Sequence, residues 1–205
     1  MTVGELARMI KTENNLELDL TILPVKGWRR EMLFNETGLP WINPSPNMRN
    51  LTQAILYPGI GLLETTELSV GRGTDAPFEI IGAPYINHLE LAEELNRLGI
   101  PGIRFVPIQF IPSSSKFEGQ VCRGVNILLT DRENCPTVDL GIGIAHTLNR
   151  LYSPEFDIEK FNRLLMHPKV IEELQNGYSW QAITSSWASE KHRFIKRRKP
   201  YLIYE

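Results

Sequence analysis

The sequence has few cysteines, no long apolar run and almost no excess of either charge. Among its 205 residues only Cys122 and Cys135 are cysteines, whereas small domains built on disulfides contain many more. We therefore favour two free thiols, with a disulfide between them left open. No stretch approaches the roughly 18 apolar residues of a membrane-spanning helix. The formal net charge of −2 argues against a protein that coats nucleic acid or a membrane surface.

Metal-binding and export motifs are also missing from the sequence. Neither CxxC nor HExxH spacing occurs, and the four histidines are scattered along the chain, so a zinc site is not expected. The first residues, MTVGELARMI, show no basic region followed by an apolar core, and a signal peptide would require both.

What is present is the composition of an ordinary globular protein. Hydrophobic residues make up 42% of the chain and charged residues 22%, which is enough for one full core or two small ones. No internal repeat, low-complexity tract or obvious linker interrupts it. We predict one α+β domain over residues 1–205, in which a small mixed or antiparallel sheet packs with several helices and the last third is helical.

The start of the chain predicts a helix followed by a strand. Thr2 and Glu5 form a T-x-x-E capping box. The residues after Thr2 place an apolar stripe at helical spacing, formed by Val3, Leu6, Ala7 and Ile10. The next segment, NLELDLTILPV, alternates apolar and polar residues, which predicts a half-buried strand over residues 16–22 that ends at Pro24.

The middle of the chain predicts two helices and two strands. Residues 51–63 are helical but broken at Pro58, and HLELAEELNRLGI is an amphipathic helix with a glycine at its C-terminal end. Strands are predicted at Ile103–Ile111 and Val121–Thr130. Pro107 places the first of these strands at a sheet edge or a bulge, because proline cannot donate to a sheet ladder.

The last third is predicted to be helical. Gly141 and Gly143 weaken a helix that would otherwise be strong, which indicates close packing against another backbone. A single long final helix is expected to direct four large apolar residues toward the core, namely Trp180, Ile183, Trp187 and Phe194. The last residues of the chain are then expected to add a short edge strand.

Residues 26–50 form a long, apolar and irregular stretch. It contains three prolines and two tryptophans, Trp28 and Trp41, so it is too apolar for disorder and too long for a simple connection. Two interpretations stay open. The stretch either covers the core with its tryptophans or presents them to a ligand, since sugar sites also use exposed aromatic faces.

The stretch ETTELSVGRGTDAPFE, residues 64–79, is the strongest candidate site. Its GRGT segment is neither a P-loop nor a dinucleotide fingerprint, but Gly71 and Gly73 let a ligand approach the backbone on both sides of Arg72. A guanidinium presented in this way suits a carboxylate or a phosphate, and Thr74 adds a hydroxyl beside it. The alternative is that Arg72 pairs with a glutamate of the same stretch and only fixes the turn.

The same stretch contains two carboxylates three residues apart, Glu64 and Glu67. On a helix their Cβ atoms would lie about 5–6 Å apart. Glycoside hydrolysis commonly uses two carboxyls, about 5–5.5 Å apart for retention or about 6.5–9.5 Å apart for inversion. Sequence spacing does not choose between these arrangements, and paired glutamates on a solvated helix face are far commoner than catalytic pairs.

Other polar candidates are Asn47, Arg104 and Lys116. Lys116 lies in the polar loop PSSSKFEGQ between the two predicted strands, where it could meet an anion, although a solvated hairpin loop explains the same pattern. The basic run near the C-terminus, KHRFIKRRK, is interpreted as a solvated helix end rather than a nucleic-acid site. Basic residues offset the helix dipole there, and no stacking aromatics alternate with them.

Three long segments resemble the C-terminal portion of the NamZ-type exo-β-N-acetylmuramidases. They are GWRREMLFNETGLPWINPSPNM, YPGIGLLETTELSVGRGTDAPFEIIGAPYI and GIRFVPIQFIPSSSKFEGQVCRGVNI, and the resemblance runs from MTVGELA to RRKPYLIYE. It implies a glycosidase that releases terminal N-acetylmuramic acid from peptidoglycan fragments, without a metal or organic cofactor. It also implies that family members carry an N-terminal Rossmann-like domain, which is absent from this chain and would be its partner.

The resemblance also bears on the site residues and on location. Residues from Glu64 through Arg72, Gly73 and Thr74 fall on the family's most characteristic block, and Asn47, Arg104 and Lys116 fall on flanking motifs. The lactyl carboxylate of muramic acid is the anion that Arg72 would bind. The family more often has an amide where this chain has Glu67, so Glu64 is the better catalytic candidate. Family members are commonly exported, with MTVGELA internal and any signal sequence upstream of it.

Two functions from different classes follow from these observations. In the first, the chain supplies one wall of the substrate cleft of a muramidase and needs the Rossmann-like domain for activity. In the second, it is a standalone, non-catalytic module that binds cell-wall glycan or another protein. Binding of a phosphate ligand at the GRGT loop is a third and weaker option.

Overall fold

Most α-helices lie after residue 50, and three short strands lie between residues 80 and 129. The computed structural model describes residues 1–204. Within them the α-helices are α1 (Val3–Glu13), α2 (Leu51–Ile60), α3 (His88–Arg97), α4 (Thr137–Tyr152), α5 (Asn162–Leu165), α6 (Pro168–Gln175), α7 (Trp180–Ser186) and α8 (Ala188–Arg198). The strands are β1 (Ile80–Ala83), β2 (Ile103–Phe110) and β3 (Cys122–Leu129). The predicted α+β class is confirmed.

The three strands form an antiparallel sheet in the order β1-β3-β2. The two predicted strands are present as β2 and β3, and β2 is an edge strand, as Pro107 indicated. Strand β1 was not predicted, because it has only four residues and all of them are buried. Such a strand shows no alternation of apolar and polar residues from which it could be recognised.

Helix α1 begins at the predicted capping box. The Thr2 hydroxyl accepts a hydrogen bond from the Glu5 N–H, and the Glu5 carboxylate accepts one from the Thr2 N–H at 2.8 Å. The buried residues of the helix are Glu5 and Met9. The apolar stripe lies on the other side and is exposed, with Val3 87% accessible.

The strand predicted over residues 16–22 is wrong. These residues belong to no helix or strand in the described part of the chain, because none of residues 1–204 pairs with them as a neighbouring strand. The apolar and polar side chains alternate as they do in a strand. The ladder of backbone hydrogen bonds that defines a strand, however, is not formed at these residues.

Residue contacts divide the chain into two units. The first unit consists of Met1–Pro40 together with the chain from Ser186 onward, and the second consists of Trp41–Ser185. The prediction that residues 1–205 form a single domain stays a prediction. Among residues 1–204, no helix has the length and apolarity needed to cross a bilayer.

Glycines bring α2 and α4 into close contact in the second unit. A Cβ atom on Gly59 would lie 1.8 Å from the carbonyl oxygen of Thr137, and one on Gly141 would lie 2.6 Å from the carbonyl oxygen of Gly59. The close packing predicted for Gly141 is therefore confirmed. The predicted break at Pro58 is not where the helix ends, because α2 runs through Pro58 to Ile60 and a short 3-10 helix follows at Gly61–Leu63.

The end of the chain differs from the prediction of one long helix. It forms α7 and α8, with Trp187 between them. Ile183 on α7 is buried, but α8 buries no residue and Phe194 is 41% exposed. The predicted terminal strand is also wrong, since a 3-10 helix spans Lys199–Tyr201 and residues 202–204 form no strand. The strongly basic sequence of α8 explains its exposure, because it leaves no continuous apolar face.

Both cysteines are free thiols. Cys122, in the central strand β3, is buried, and burial raises the pKa of its thiol to about 11. The sequence had left open a disulfide between Cys122 and Cys135, and the structure does not contain it.

Candidate functional site

The GRGT segment is a loop that is anchored on the sheet at both of its ends. Before the loop, Ser69 exchanges two backbone hydrogen bonds with Gly82 of β1, at 2.8 and 3.0 Å. After the loop, the Phe78 N–H donates to the Val70 carbonyl at 2.7 Å. The flanking residues Leu68 and Val70 are buried. Residues 71–77 therefore project from the sheet as a closed loop with fixed ends.

Backbone geometry inside this loop depends on glycine. Gly71 and Gly73 have φ values of 81° and 80°, a region that side chains other than glycine rarely adopt. The Thr74 hydroxyl closes the turn by donating to the Gly71 carbonyl at 2.6 Å. A Cβ atom on Gly73 would lie 2.3 Å from the carbonyl oxygen of Ser114. The loop and the segment around Ser114 thus pack backbone against backbone.

Arg72 forms a two-pronged ion pair with Glu64. Its Nε contacts one carboxylate oxygen of Glu64, and its Nη2 contacts the other at 3.2 Å. The guanidinium also lies 5.1 Å from the centre of the Phe78 ring. The hydrogen bond with Glu64 raises the pKa of Arg72, although partial burial acts in the opposite direction. The internal pairing considered as an alternative is therefore present, and 33% of the Arg72 side chain stays accessible.

Lys116 holds the backbone that carries Glu64. Its ammonium donates to the carbonyl of Glu64 at 3.2 Å and to the carbonyl of Thr66. Burial and the nearby Lys160 ammonium lower the pKa of Lys116, and the carboxylates of Glu67 and Glu64 offset this only in part. Glu64, Arg72 and Lys116, here called the Arg72 cluster, are thus brought together by the fold.

A groove of about 580 Å³ opens beside the same loop. Its walls come from three segments, residues 46–49, 73–75 and 110–114. The groove brings together three of the predicted site residues, Asn47, Gly73 and Thr74. The side chains of the Arg72 cluster are not among the described residues that line it. The structure therefore separates the predicted residues into a groove and a neighbouring ion-pair cluster.

The cation that lines the groove is Arg49, which sequence reasoning missed. Its Nε donates to the Pro46 carbonyl at 3.0 Å, and its Nη1 lies 3.3 Å from the Asp75 carboxylate. The available sequence signal was an arginine in the Pro- and Asn-rich stretch NPSPNMRN, which also contains Asn47. Only the fold shows that this stretch faces the GRGT loop.

The groove also contains neutral polar groups that are available to a ligand. The Asn47 side-chain amide and the Ser114 hydroxyl form no hydrogen bond with any of residues 1–204. Phe110 and Ile111 add apolar surface. A cation, an amide, a hydroxyl and an apolar wall are the groups that bind the polar edges and the apolar face of a sugar.

Arg104 is not brought to the groove. It lies near the start of β2, where its guanidinium donates to the carbonyl of Ile103 at 3.2 Å. Phe110, which lines the groove, is the last residue of the same strand. At about 3.3 Å per residue, six residues of strand separate the two positions by roughly 20 Å.

Glu67 belongs to a second cavity, of about 590 Å³, that includes Lys160 and Asp157. The Glu67 carboxylate pairs with the Lys160 ammonium and accepts a hydrogen bond from the Asp157 N–H at 3.3 Å. Burial alone would raise the pKa of Glu67, but these two hydrogen bonds outweigh it and lower the pKa. Glu67 therefore fastens the turn at residues 64–67 to the segment at 157–160.

No cluster suited to a metal ion is found in the described part of the chain, since no three His, Cys, Asp or Glu side chains of residues 1–204 are placed to hold one. The groove beside the GRGT loop combines charged, amide and hydroxyl groups on an α+β scaffold, an arrangement that suits a polar ligand.

Comparison with known proteins identifies the family. Residues 55–204 match the family model described as exo-beta-N-acetylmuramidase NamZ, C-terminal, and residues 1–52 match the corresponding N-terminal model. The chain belongs to the exo-β-N-acetylmuramidase NamZ family. The resemblance stated from the sequence is confirmed, and the first 52 residues match the model of the N-terminal region.

A curated relative and two solved structures are similar to the whole chain. The peptidoglycan beta-N-acetylmuramidase NamZ of Bacillus subtilis is 40% identical over 207 residues, which cover 100% of this chain and 50% of that protein. Two DUF1343 family proteins of Bacteroides fragilis have similar structures. One has a TM-score of 0.87 at 27% identity, covering 98% of this chain and 56% of its own. The other has a TM-score of 0.75 at 28% identity, covering 100% and 56%. The chain thus spans about half the length of these relatives.

Proposed function

We propose that this chain supplies one wall of the substrate cleft of a glycoside hydrolase that releases terminal N-acetylmuramic acid from peptidoglycan fragments. The observation that carries the proposal is the groove beside the GRGT loop. In a chain of the NamZ family, it combines a guanidinium, a side-chain amide and a hydroxyl next to an apolar wall. The curated relative from Bacillus subtilis is named for this activity on peptidoglycan.

The groups in the groove fit the chemistry of the sugar. N-acetylmuramic acid has ring hydroxyls, an N-acetyl group and a lactyl carboxylate. Asn47 and Ser114 would bind the hydroxyl or N-acetyl groups, and an arginine would bind the carboxylate, because a guanidinium matches its two oxygens. Arg72 is the carboxylate contact that the sequence predicts, and Arg49 is the cation that lines the groove.

Arg72 is suited to this contact by the way it is held. The pair with Glu64 uses its Nε and Nη2 atoms, and the ring of Phe78 lies against it. A side chain fixed on two sides loses little conformational freedom when it binds a ligand. Its neighbour Gly73 lines the groove, so the lactyl carboxylate of a sugar in the groove would have a short path to Nη1.

Glu64 has two possible roles in this proposal. It is the catalytic candidate from the sequence, and in the structure both of its carboxylate oxygens contact Arg72. If Glu64 only holds Arg72, its loss should weaken substrate binding. If it also takes part in the reaction, its loss should lower turnover beyond the effect on binding. The N-terminal region of the family, which we expect to be Rossmann-like, would supply the remaining catalytic groups.

The test is hydrolysis of a chromogenic β-N-acetylmuramic acid glycoside by the chain, beside Glu64→Gln and Arg72→Ala. We expect no turnover by the chain alone, together with millimolar or tighter binding of N-acetylmuramic acid that Arg72→Ala weakens. Turnover that Glu64→Gln abolishes would contradict the proposal that this chain is only one wall, since a complete site would then lie within it. Binding without any loss in Arg72→Ala would favour a glycan-binding module that uses another surface.

A further inference from the structure

Helix α1 exposes its apolar stripe rather than burying it. Val3 is 87% accessible, Leu6 is 45% accessible and Ile10 is 46% accessible. These residues are three and four positions apart, so they form one continuous face of the helix. An amphipathic helix ordinarily buries such a face. The described residues of the first unit leave it uncovered.

The segment after α1 is exposed in the same way. Leu16 and Leu18 are 42% and 44% accessible, and Leu23 and Val25 reach 84% and 64%. Leucine and isoleucine at the even positions 16–22 alternate with Glu17, Asp19 and Thr21, and the chain becomes apolar at both Leu23 and Val25. A segment with one apolar and one polar face is typical of a strand that is covered on one side.

The backbone of this segment is also unpaired. The N–H groups of residues 19–23 donate to no acceptor among residues 1–204. An extended segment with free N–H and C=O groups is a ready partner for a neighbouring strand. The next N–H that is bonded belongs to Val25, which donates to the hydroxyl of Tyr204 at 2.9 Å.

One side of the segment already packs on α1. A Cβ atom on Gly4 would lie 2.8 Å from a side-chain carbon of Ile22. Leu20 and Ile22 also line a small cavity together with Arg8 and Ile203. Residues 3–23 thus consist of a helix and an unpaired segment that packs on it, in the same order as the helix and strand of a layered α/β structure.

We infer that residues 3–25 are a docking surface for the part of the family's N-terminal region that lies outside residues 1–205. In this arrangement, residues 16–23 add as a strand to a sheet edge of that region, and the stripe of Val3, Leu6 and Ile10 covers the neighbouring strand. The occupant is identified by the family match, because residues 1–52 match the N-terminal model and the chain spans half of its curated relative.

This inference rests on family membership and on the first unit, and it does not depend on the sugar-binding groove. Its failure would leave the groove proposal intact, and the reverse is also true. The occupant must present a strand with free backbone groups and an apolar face beside it. A second copy of the chain is the competing occupant.

The test is co-expression of the full chain with a second, tagged polypeptide. The tagged polypeptide is the half of the Bacillus subtilis relative that this chain does not match. We expect the two to purify together in equal amounts. The amides of residues 19–23 should exchange rapidly with deuterium in the chain alone, and about tenfold or more slowly in the complex, since pairing shields them from solvent. No joint purification, or a complex in which these amides stay unprotected, would overturn the inference.

Substitutions at accessible positions separate docking from folding. Val3→Glu and Leu23→Glu place a charge where we expect an apolar contact, and each should weaken the complex about tenfold or more. Leu89→Glu is the matched control, because Leu89 is 62% accessible on α3 in the other unit, and it should leave the affinity unchanged. Equal effects of all three substitutions would contradict the assignment. A dimer of the chain alone that Val3→Glu disperses would show that a second copy covers this surface.

Discussion

The two units of the chain are stabilised by different interactions. The buried hydrophobic residues of the described chain lie in the second unit, residues 41–185, with the exception of Met9. The first unit instead centres on a buried carboxylate, that of Glu5. A unit with almost no apolar core cannot gain much from the hydrophobic effect. The comparison indicates that the first unit is the part of the molecule that depends most on polar contacts.

The Glu5 carboxylate joins three separate parts of the first unit. It accepts hydrogen bonds from the guanidinium of Arg30, at 2.6 and 3.2 Å. It also accepts bonds from the N–H groups of Thr2 at 2.8 Å and Ile203 at 2.9 Å. The side chain of Glu5 is fully buried, whereas 25% of the Arg30 side chain is accessible. A single carboxylate therefore connects the start of α1, the loop at residue 30 and the C-terminal segment.

Glu5→Ala should give the largest effect and should break only the first unit. Removal of one partner from a buried ion pair commonly costs about 3–5 kcal/mol, and every N–H that donates to the Glu5 carboxylate would lose its acceptor. Hydrogen exchange under mild denaturant would measure the effect, with protection lost in α1 and retained in β3. The matched control is Glu31→Ala, since the pair between Glu31 and Arg29 is exposed and should contribute little to stability. Equal loss of protection in both units would contradict the comparison.

Lowering the pH should give the second largest effect, and it should also destabilise the first unit. Burial raises the pKa of Glu5, but its hydrogen bonds with Arg30, Ile203 and Thr2 outweigh burial and lower the pKa from 4.5 to about 2. A depressed pKa stabilises the folded state above the usual value, and this stabilisation is lost as the pH falls from about 4.5 to about 2. The shift corresponds to about 3 kcal/mol. Exchange of the α1 amides measured from pH 5 to pH 2 tests this, and an acid response that persists unchanged in Glu5→Gln would contradict it.

Gly59→Ala should give a smaller effect, confined to the second unit. A methyl group there would meet the Thr137 carbonyl at 1.8 Å, so α2 and α4 would have to separate at a cost of about 1–3 kcal/mol. Gly143→Ala is the matched control. Its Cβ would meet the ends of two flexible side chains, those of Leu98 at 3.1 Å and Ile100 at 3.2 Å, and no backbone atom. The gain in helix propensity offsets these contacts. Thermal unfolding should show the first variant destabilised and the second near neutral, and the opposite order would refute the packing argument.

The sequence predicted those elements whose causes are local. The capping box of Thr2 and Glu5 and the edge position of Pro107 both depend on residues close in the chain. The burial of Glu5 was not predictable from its neighbours, because Arg30 and Ile203 are brought to it by the fold. Likewise, residues 16–22 do alternate apolar and polar side chains. The strand itself was not formed, because no neighbouring strand is present in residues 1–204.

The site shows the same division between local and long-range causes. The GRGT turn was predicted from its glycines, and the fold places Asn47 beside Gly73 and Thr74. Lys116 instead contacts the backbone of Glu64 and Thr66. Sequence motifs do not show which residues the fold brings to the groove, as Arg104 and Arg49 illustrate. Position along strand β2 puts Arg104 far from the groove, and the pairing of Arg49 with Asp75 across 26 residues puts an unpredicted cation in it.

The most direct test of the sugar-binding proposal compares N-acetylmuramic acid with N-acetylglucosamine, which lacks the lactyl carboxylate. Titration by calorimetry would use the chain, Arg72→Ala and Arg49→Ala, with Arg104→Ala as the control outside the groove. A charge-assisted hydrogen bond contributes about 1.5–3 kcal/mol, so we expect the muramic acid to bind about 10–100 times more tightly. Arg72→Ala should remove this preference and Arg104→Ala should preserve it. Equal binding of the two sugars, or a preference that survives the loss of either Arg72 or Arg49, would contradict the account.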